Sequence, residues 1–150
     1  MPPSVNWEHE RALQRTLVAG CQRGFIEAAH DPAEGGLAVA LAEMAIDGGV
    51  GFDVNVPAYP DASSRELLLF GETHGCAWVA VSGEHLADLL AMAQEQGCQA
   101  RHAGSIGGQA IRVTDAQQKA VLDMPLSDAR AAWEGGFTDA IGLPSNPPRP

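Results

Sequence analysis

Positive charge is scarce in this 150-residue sequence: Lys and Arg number 9 against 19 Asp and Glu, a formal charge of -10. A chain of that sign offers no electrostatic footprint for nucleic acid or for an anionic membrane surface. Cysteine is scarce as well, with 3 residues at Cys21, Cys76 and Cys98. An odd number so widely spaced builds no disulfide framework and suits a reducing, cytoplasmic setting. No apolar run reaches the ~18 residues of a membrane span. The opening MPPSVNWEHERALQ has no basic stretch followed by an apolar one, so it is not expected to be a signal peptide. A G-x-x-x-x-G-K-[ST] phosphate loop and a G-x-S-x-G nucleophile elbow are both missing. What remains, 45% hydrophobic and 19% charged, is the make-up of a globular domain able to bury a core.

The apolar spacing divides the chain into alternating elements. Asn6 is a good cap for a helix running to about Arg23, with Trp7, Leu13, Leu17 and Val18 as its apolar stripe and Gly24 as its stop. FIEAAH reads as a short extended piece. A second helix is expected over about Ala38–Ile46, ending at Gly48-Gly49. VGFDVNV (50–56) alternates as a strand. Pro57, Pro60 and Asp61 mark a loop, and Ser63 or Ser64 can cap the short helix RELLLFG. CAWVAVS (76–82) reads as a buried strand. GEHLADLLAMAQEQG is a helix with Leu86, Leu89, Leu90 and Ala93 on one face, stopped by Gly97. Residues 100–106 and 109–114 read as two strands joined in a hairpin by Gly107-Gly108, with Val121 and Leu122 extending the sheet. Ser127 opens the last helix, DARAAWEGGF. Residues 1–5 read as a linker remnant, 6–137 as the domain, and 138–150 as a mobile Pro-rich tail.

Helices alternating with strands, but interrupted by a hairpin, predict an α/β (α+β) fold. The expected arrangement is three layers, α/β/α, around a mixed sheet of about four strands: 50–56, 76–82, 100–106 and 109–114.

Two stretches carry polar chemistry. In HDPAEGGLAVALAEMA (30–45), Asp31, Pro32 and Glu34 look like a helix start, with a cap, a first-turn proline and a capping-box acid. Gly35 and Gly36 then fall where each costs ~1 kcal/mol relative to Ala in a helix. One account is close approach of another backbone, or a helix that starts only at Leu37. The other is a bare helix N-terminus, whose N–H groups form an anion site. The carboxylates of Asp31 and Glu34 would repel a phosphate unless a metal or donor intervenes; they also suit a sugar hydroxyl or an amide. His30 is read as bonded to backbone, with acid–base work the alternative. The second stretch, LFGETHGCAWVAV (69–81), sets Glu72, Thr73 and His74 in a turn before a strand. Glu72, His74 and Cys76 match no zinc spacing, so no metal site is assigned.

Together AAHDPAEGGLAVALAEMA and ELLLFGETHGCAWVAV resemble the C-terminal domain of phosphoribosylformylglycinamidine synthases. That domain type is shared with aminoimidazole ribonucleotide synthetase and its relatives. The family pattern is approximately H-D-x-S-D-G-G-L followed by L-F-x-E-S-x-G, and the resemblance runs from about Asn6 to Phe137. Ala33 stands where the family has serine, Glu34 where it has aspartate, and Thr73 where it has serine. The resemblance implies an aminoimidazole ribonucleotide synthetase C-terminal-domain-like fold and a place in purine biosynthesis. The full enzymes use ATP to activate the amide oxygen of formylglycinamide ribonucleotide, and ammonia from a glutaminase subunit then gives the amidine. ATP and Mg²⁺ would be held mainly by an ATP-binding domain that this sequence lacks. His30, Asp31, Glu34, Gly35, Gly36, Glu72 and Thr73 would line an interdomain cleft, either productive or a structural nucleotide site. No residue is assigned to catalysis, and the chain alone is expected to be inactive. The competing readings are a free-standing interaction module and a small hydrolase using His30, Glu72 and His74. The hydrolase requires those three side chains to converge.

Overall fold

The computed structural model describes residues 5–56, 65–72 and 74–142. The loop and cap expected at 57–64, Thr73, and residues 143–150 of the Pro-rich tail lie outside them. The chain forms two compact units, one from Met1–Met44 and Ala58–Ala103, the other from Ala45–Pro57 and Gly104–Pro150.

In the first unit, α1 spans Trp7–Gln22. Asn6 starts it as read from sequence: its extended backbone lets the side-chain oxygen accept from the N–H groups of Glu8 and His9, both at 3.1 Å. Gly24, at φ +71, ends it. The buried stripe differs from expectation. It is Ala12, Thr16 and Gly20, while Trp7 and Val18 are exposed and Leu13 and Leu17 half-buried. Small residues bring this helix close to its neighbours: a Cβ on Gly20 would sit 2.7 Å from Ile26 Cδ1 and 3.1 Å from Leu89 Cδ1. The Thr16 hydroxyl donates back to Ala12 O at 2.9 Å, so its burial leaves no unmet donor.

β1 (Ile26–His30) pairs antiparallel with β3 (Trp78–Val81), with Ala28 opposite Ala80 and His30 opposite Trp78. α4 (Leu86–Glu95) buries Leu89, Met92 and Ala93. Ala93 forms a small core with Ala12 and Cys98, against which Leu13 packs. The His85 ring stacks on Phe25 with centroids 4.9 Å apart. α2 (Gly36–Gly48) runs from this unit into the next, and α3 (Arg65–Phe70) is a short helix of the first unit.

The second unit holds a four-stranded mixed sheet in the order β4-β2-β5-β6. Its strands are β2 (Phe52–Asn55), β4 (Gly104–Ile106), β5 (Ala110–Thr114) and β6 (Ala120–Pro125), followed directly by α5 (Leu126–Ala140). The α+β class and the four-stranded mixed sheet are as expected from sequence, but the membership is not. Residues 76–82 supply β3, which pairs with β1 in the separate two-stranded ribbon, and 120–125 takes the fourth place. Nor do β4 and β5 form a hairpin. They flank β2, β4 antiparallel to it and β5 parallel. Gly51, just before β2, explains the difference: its N–H donates to Gly108 O at 3.0 Å and its carbonyl accepts from Gly107 N at 2.8 Å. The diglycine therefore arches over the start of β2 instead of closing a tight turn. A side chain on Gly51 would run into the backbone of Ala110.

Alternation sorts the sheet's faces. Phe52, Val54, Ile111 and Val113 are buried. Asp53, Arg112 and Asp123 share one cross-strand row on the other face and are exposed. Leu126 and Ala129 of α5 and Ala45 and Ile46 of α2 are buried in the same unit. The Arg130 guanidinium donates to the carbonyl of Ile46 in the last turn of α2, where a cation is favoured.

Candidate functional site

β1 leaves the ribbon at His30 and β3 enters it at Trp78, directly opposite. The turn 31–35 therefore departs from the same end of the ribbon at which 74–77 arrives. Antiparallel pairing, which neither motif reveals by itself, thus gathers both polar stretches at one end of the first unit.

The contact between them is made by backbone. Gly35 and Gly36 have φ of +75 and +68, in the left-handed region that residues with a Cβ avoid. A Cβ on Gly36 would lie 2.7 Å from the carbonyl carbon of Phe70 and 2.9 Å from the carbonyl oxygen of Gly71. At Gly35 the nearest obstacle is the Val39 side chain, at 2.6 Å. Of the two accounts of the diglycine, close approach of a neighbouring backbone accounts for Gly36. The helix start moves with it. Two successive left-handed residues cannot continue a right-handed helix from Pro32, so α2 begins at Gly36 and Asp31 and Glu34 do not occupy its cap and capping-box positions. Pro32 is instead wholly buried, whereas Asp31, Ala33 and Glu34 are exposed.

His30 is half-buried at the end of β1. Its Nδ1 lies 2.7 Å from the carbonyl oxygen of Asp31, and its Nε2 lies 2.8 Å from Glu43 Oε2 on α2. Glu72 and His74 are exposed. Gly75, at φ +67, is tied to α1: its carbonyl accepts from His9 Nε2 at 2.8 Å, and a Cβ there would meet Glu10 Oε1 at 2.7 Å. Thr73 lies outside the described residues. The structure thus brings His30, Asp31, Gly35 and Gly36 into one turn. It seats that turn on α3's C-terminal backbone, and presents the Asp31, Glu34 and Glu72 carboxylates to solvent. His30 is engaged by Glu43 and Asp31, whereas Glu72 and His74 face solvent, which argues against the hydrolase triad. Among the described residues no group of three or more His, Cys, Asp or Glu could hold a metal ion. No helix of the described residues is long and apolar enough to cross a membrane.

Sequence reasoning missed Glu43 and His9. For Glu43 a signal existed: it is the one acid within the apolar run GGLAVALAEMAI, and such a residue needs a partner. For His9 there was none, because its partner is a backbone carbonyl 66 residues away.

Comparison with known proteins extends this picture. Residues 3–116 match the family described as "AIR synthase related protein, C-terminal domain". The phosphoribosylformylglycinamidine synthase subunit PurL of Synechocystis sp. is 38% identical over 136 residues, covering 89% of this chain and 17% of that protein. The subunit of the same name from Thermobifida fusca is 35% identical over 141 residues, covering 94% of this chain and 18% of that protein. This chain therefore spans less than a fifth of the length of these relatives. Among solved structures, PurLQS from Thermotoga maritima matches with a TM-score of 0.70 at 20% identity, over 83% of this chain and 22% of that one. T. maritima PurL complexed with ATP matches with a TM-score of 0.68 at 20% identity, over 79% and 21%. T. maritima PurL complexed with FGAR gives 0.69 at 20% identity, over 81% and 21%. These structures share the fold.

Proposed function

The chain belongs to the family of AIR synthase related proteins, as their C-terminal domain, and on that premise we propose that it works as the last domain of a phosphoribosylformylglycinamidine synthase. In that role it closes one side of an interdomain cleft in a cytoplasmic ligase of purine biosynthesis. The ligase converts formylglycinamide ribonucleotide, ATP and ammonia from a glutaminase subunit into the amidine. The observation that carries this reading is the 38% identity to a PurL subunit across 89% of the chain. The gathering of 30–36 and 74–76 at one end of the ribbon supports it, because it supplies a polar edge for such a cleft.

The nucleotide and its Mg²⁺ do not fit this chain's residues alone. Arg65 is the only Lys or Arg between Gly24 and Ala100, so neither turn brings a cation to a polyphosphate. The α2 N-terminus at Gly36 is covered by Phe70 and Gly71 backbone, and the exposed charged side chains of the turn before it, Asp31 and Glu34, are carboxylates. ATP and Mg²⁺ are therefore assigned to the ATP-binding domain of the same synthetase, and no step of the reaction is routed through residues here. What this chain contributes is shape: a rigid turn that holds Asp31, Glu34 and Glu72 at the cleft. Incubating the chain with ATP, formylglycinamide ribonucleotide and ammonia tests this. No amidine is expected without the remaining domains, and turnover by the chain alone would overturn the reading.

A further inference from the structure

The contact between Glu43 and His30 has no role in the reading above. Both partners are half-buried, with 33% of the His30 side chain and 27% of the Glu43 side chain exposed. The ring is engaged at both nitrogens. Nδ1 faces the Asp31 carbonyl oxygen at 2.7 Å, and a carbonyl can only accept, so Nδ1 carries a hydrogen and donates it. Nε2 lies within hydrogen-bond distance of Glu43 Oε2, at 2.8 Å. The imidazole thus links α2 to the backbone of the turn with a fixed polarity. Pro32, wholly buried, pins the other side of the same peptide bond, while the Asp31 side chain stands 71% exposed.

We propose that Glu43 is a positioning residue: through the His30 ring it fixes the Asp31–Pro32 peptide, and with it the direction in which the Asp31 carboxylate leaves the turn. The reason for holding Asp31 so firmly rests on the synthetase reading, whereas the linkage itself rests on the geometry of this chain. An isolated imidazole favours the hydrogen on Nε2, so a hydrogen held on Nδ1 is a signature that mere packing does not produce. Gln at position 43 can preserve the linkage, because its amide N–H can donate to Nε2. Leu cannot.

The test begins with the ¹⁵N spectrum of the His30 ring in the 150-residue chain. A protonated Nδ1 is expected in the parent and in Glu43→Gln. In Glu43→Leu the ring loses its anchor on α2, so the amide resonances of Asp31, Gly35 and Gly36 should move, while those of β3 and α4 stay in place. The second readout is a synthetase subunit completed with this chain. There Glu43→Leu should lower kcat/KM by about tenfold to a hundredfold, the scale of a misplaced active-site group, and Glu43→Gln should restore most of it. A bare Nδ1 in the parent overturns the proposal, and that spectrum does not depend on whether the Leu variant folds. Unchanged Asp31 and Gly36 resonances in a folded Glu43→Leu chain overturn it as well. A parent assembly without turnover counts against the synthetase reading alone, since the ring spectrum reads the linkage without it.

Discussion

Gly36 meets the backbone of Phe70 so closely that a Cβ would lie 2.7 Å from the Phe70 carbonyl carbon and 2.9 Å from its Cα. This contact joins the two sequence motifs, and the main chain on both sides makes it rigid. Gly36→Ala should accordingly destabilise the chain. The left-handed φ alone costs ~1–2 kcal/mol with a Cβ, and the clash adds to it, so ~2–4 kcal/mol is expected by urea unfolding. This reverses the gain of ~0.4–1 kcal/mol expected for Gly→Ala at a position with compatible angles.

Gly35→Ala separates the two terms. The φ of +75 is as unfavourable, but the obstacle is the Val39 side chain, which can change rotamer. A loss of ~1–2 kcal/mol is expected, and Gly35→Asn should recover part of it because Asn tolerates this region better. Equal losses at the two glycines would show that the Phe70 contact adds nothing.

Gln118 has φ +62 in the turn between β5 and β6, where Asp115 Oδ1 accepts from the N–H groups of Gln117 and Lys119, each at 2.9 Å. Gln118→Gly should therefore stabilise the second unit by ~0.5–1 kcal/mol, net of glycine's entropy cost, in thermal or urea melts. Asp115→Ala should do the opposite by a comparable ~1 kcal/mol, since two backbone donors lose their acceptor.

Arg112 donates from Nε to Asp123 at 3.2 Å and from Nη1 to Asp53 at 3.3 Å, in the row across the exposed sheet face. The bonds to Asp123 and Asp53 hold its guanidinium pKa above the ordinary arginine value. A cation whose pKa is raised on folding contributes stability that is complete below the unfolded value and lost only as pH rises through the folded one. That window lies beyond the working range. Arg112→Gln should thus shift the melting temperature by the same small amount at pH 6 and pH 9, and added salt should shrink the difference.

Local signals were legible and long-range ones were not. The Asn6 cap and the Gly24 stop each depend on neighbours within a turn or two and stand as expected; of the expected α4 face, Leu89 and Ala93 are buried, Leu86 and Leu90 are half-buried, and Met92 joins the core instead. The errors share another origin. VAVS looks like a strand wherever it pairs, and only the fold reveals that its partner is the short FIEAAH segment and not the four-stranded sheet. Gly107-Gly108 is ordinarily a hairpin signal, but Gly51, over fifty residues earlier, occupies the place between the two strands. At the site, the diglycine announced unusual backbone. Whether a ligand or a neighbouring main chain required it depended on α3, whose approach no local pattern encodes. The Glu43 partner of His30 was legible in principle, as a lone acid in an apolar helix.

The central claim is that this chain completes a phosphoribosylformylglycinamidine synthase. Replacing the matching 136-residue stretch of the Synechocystis subunit with it, and measuring amidine formation with ammonia as nitrogen source, tests that most directly. The account predicts a folded chimera that turns over formylglycinamide ribonucleotide at a rate comparable with the parent subunit. A folded chimera that binds ATP and forms no amidine would contradict it.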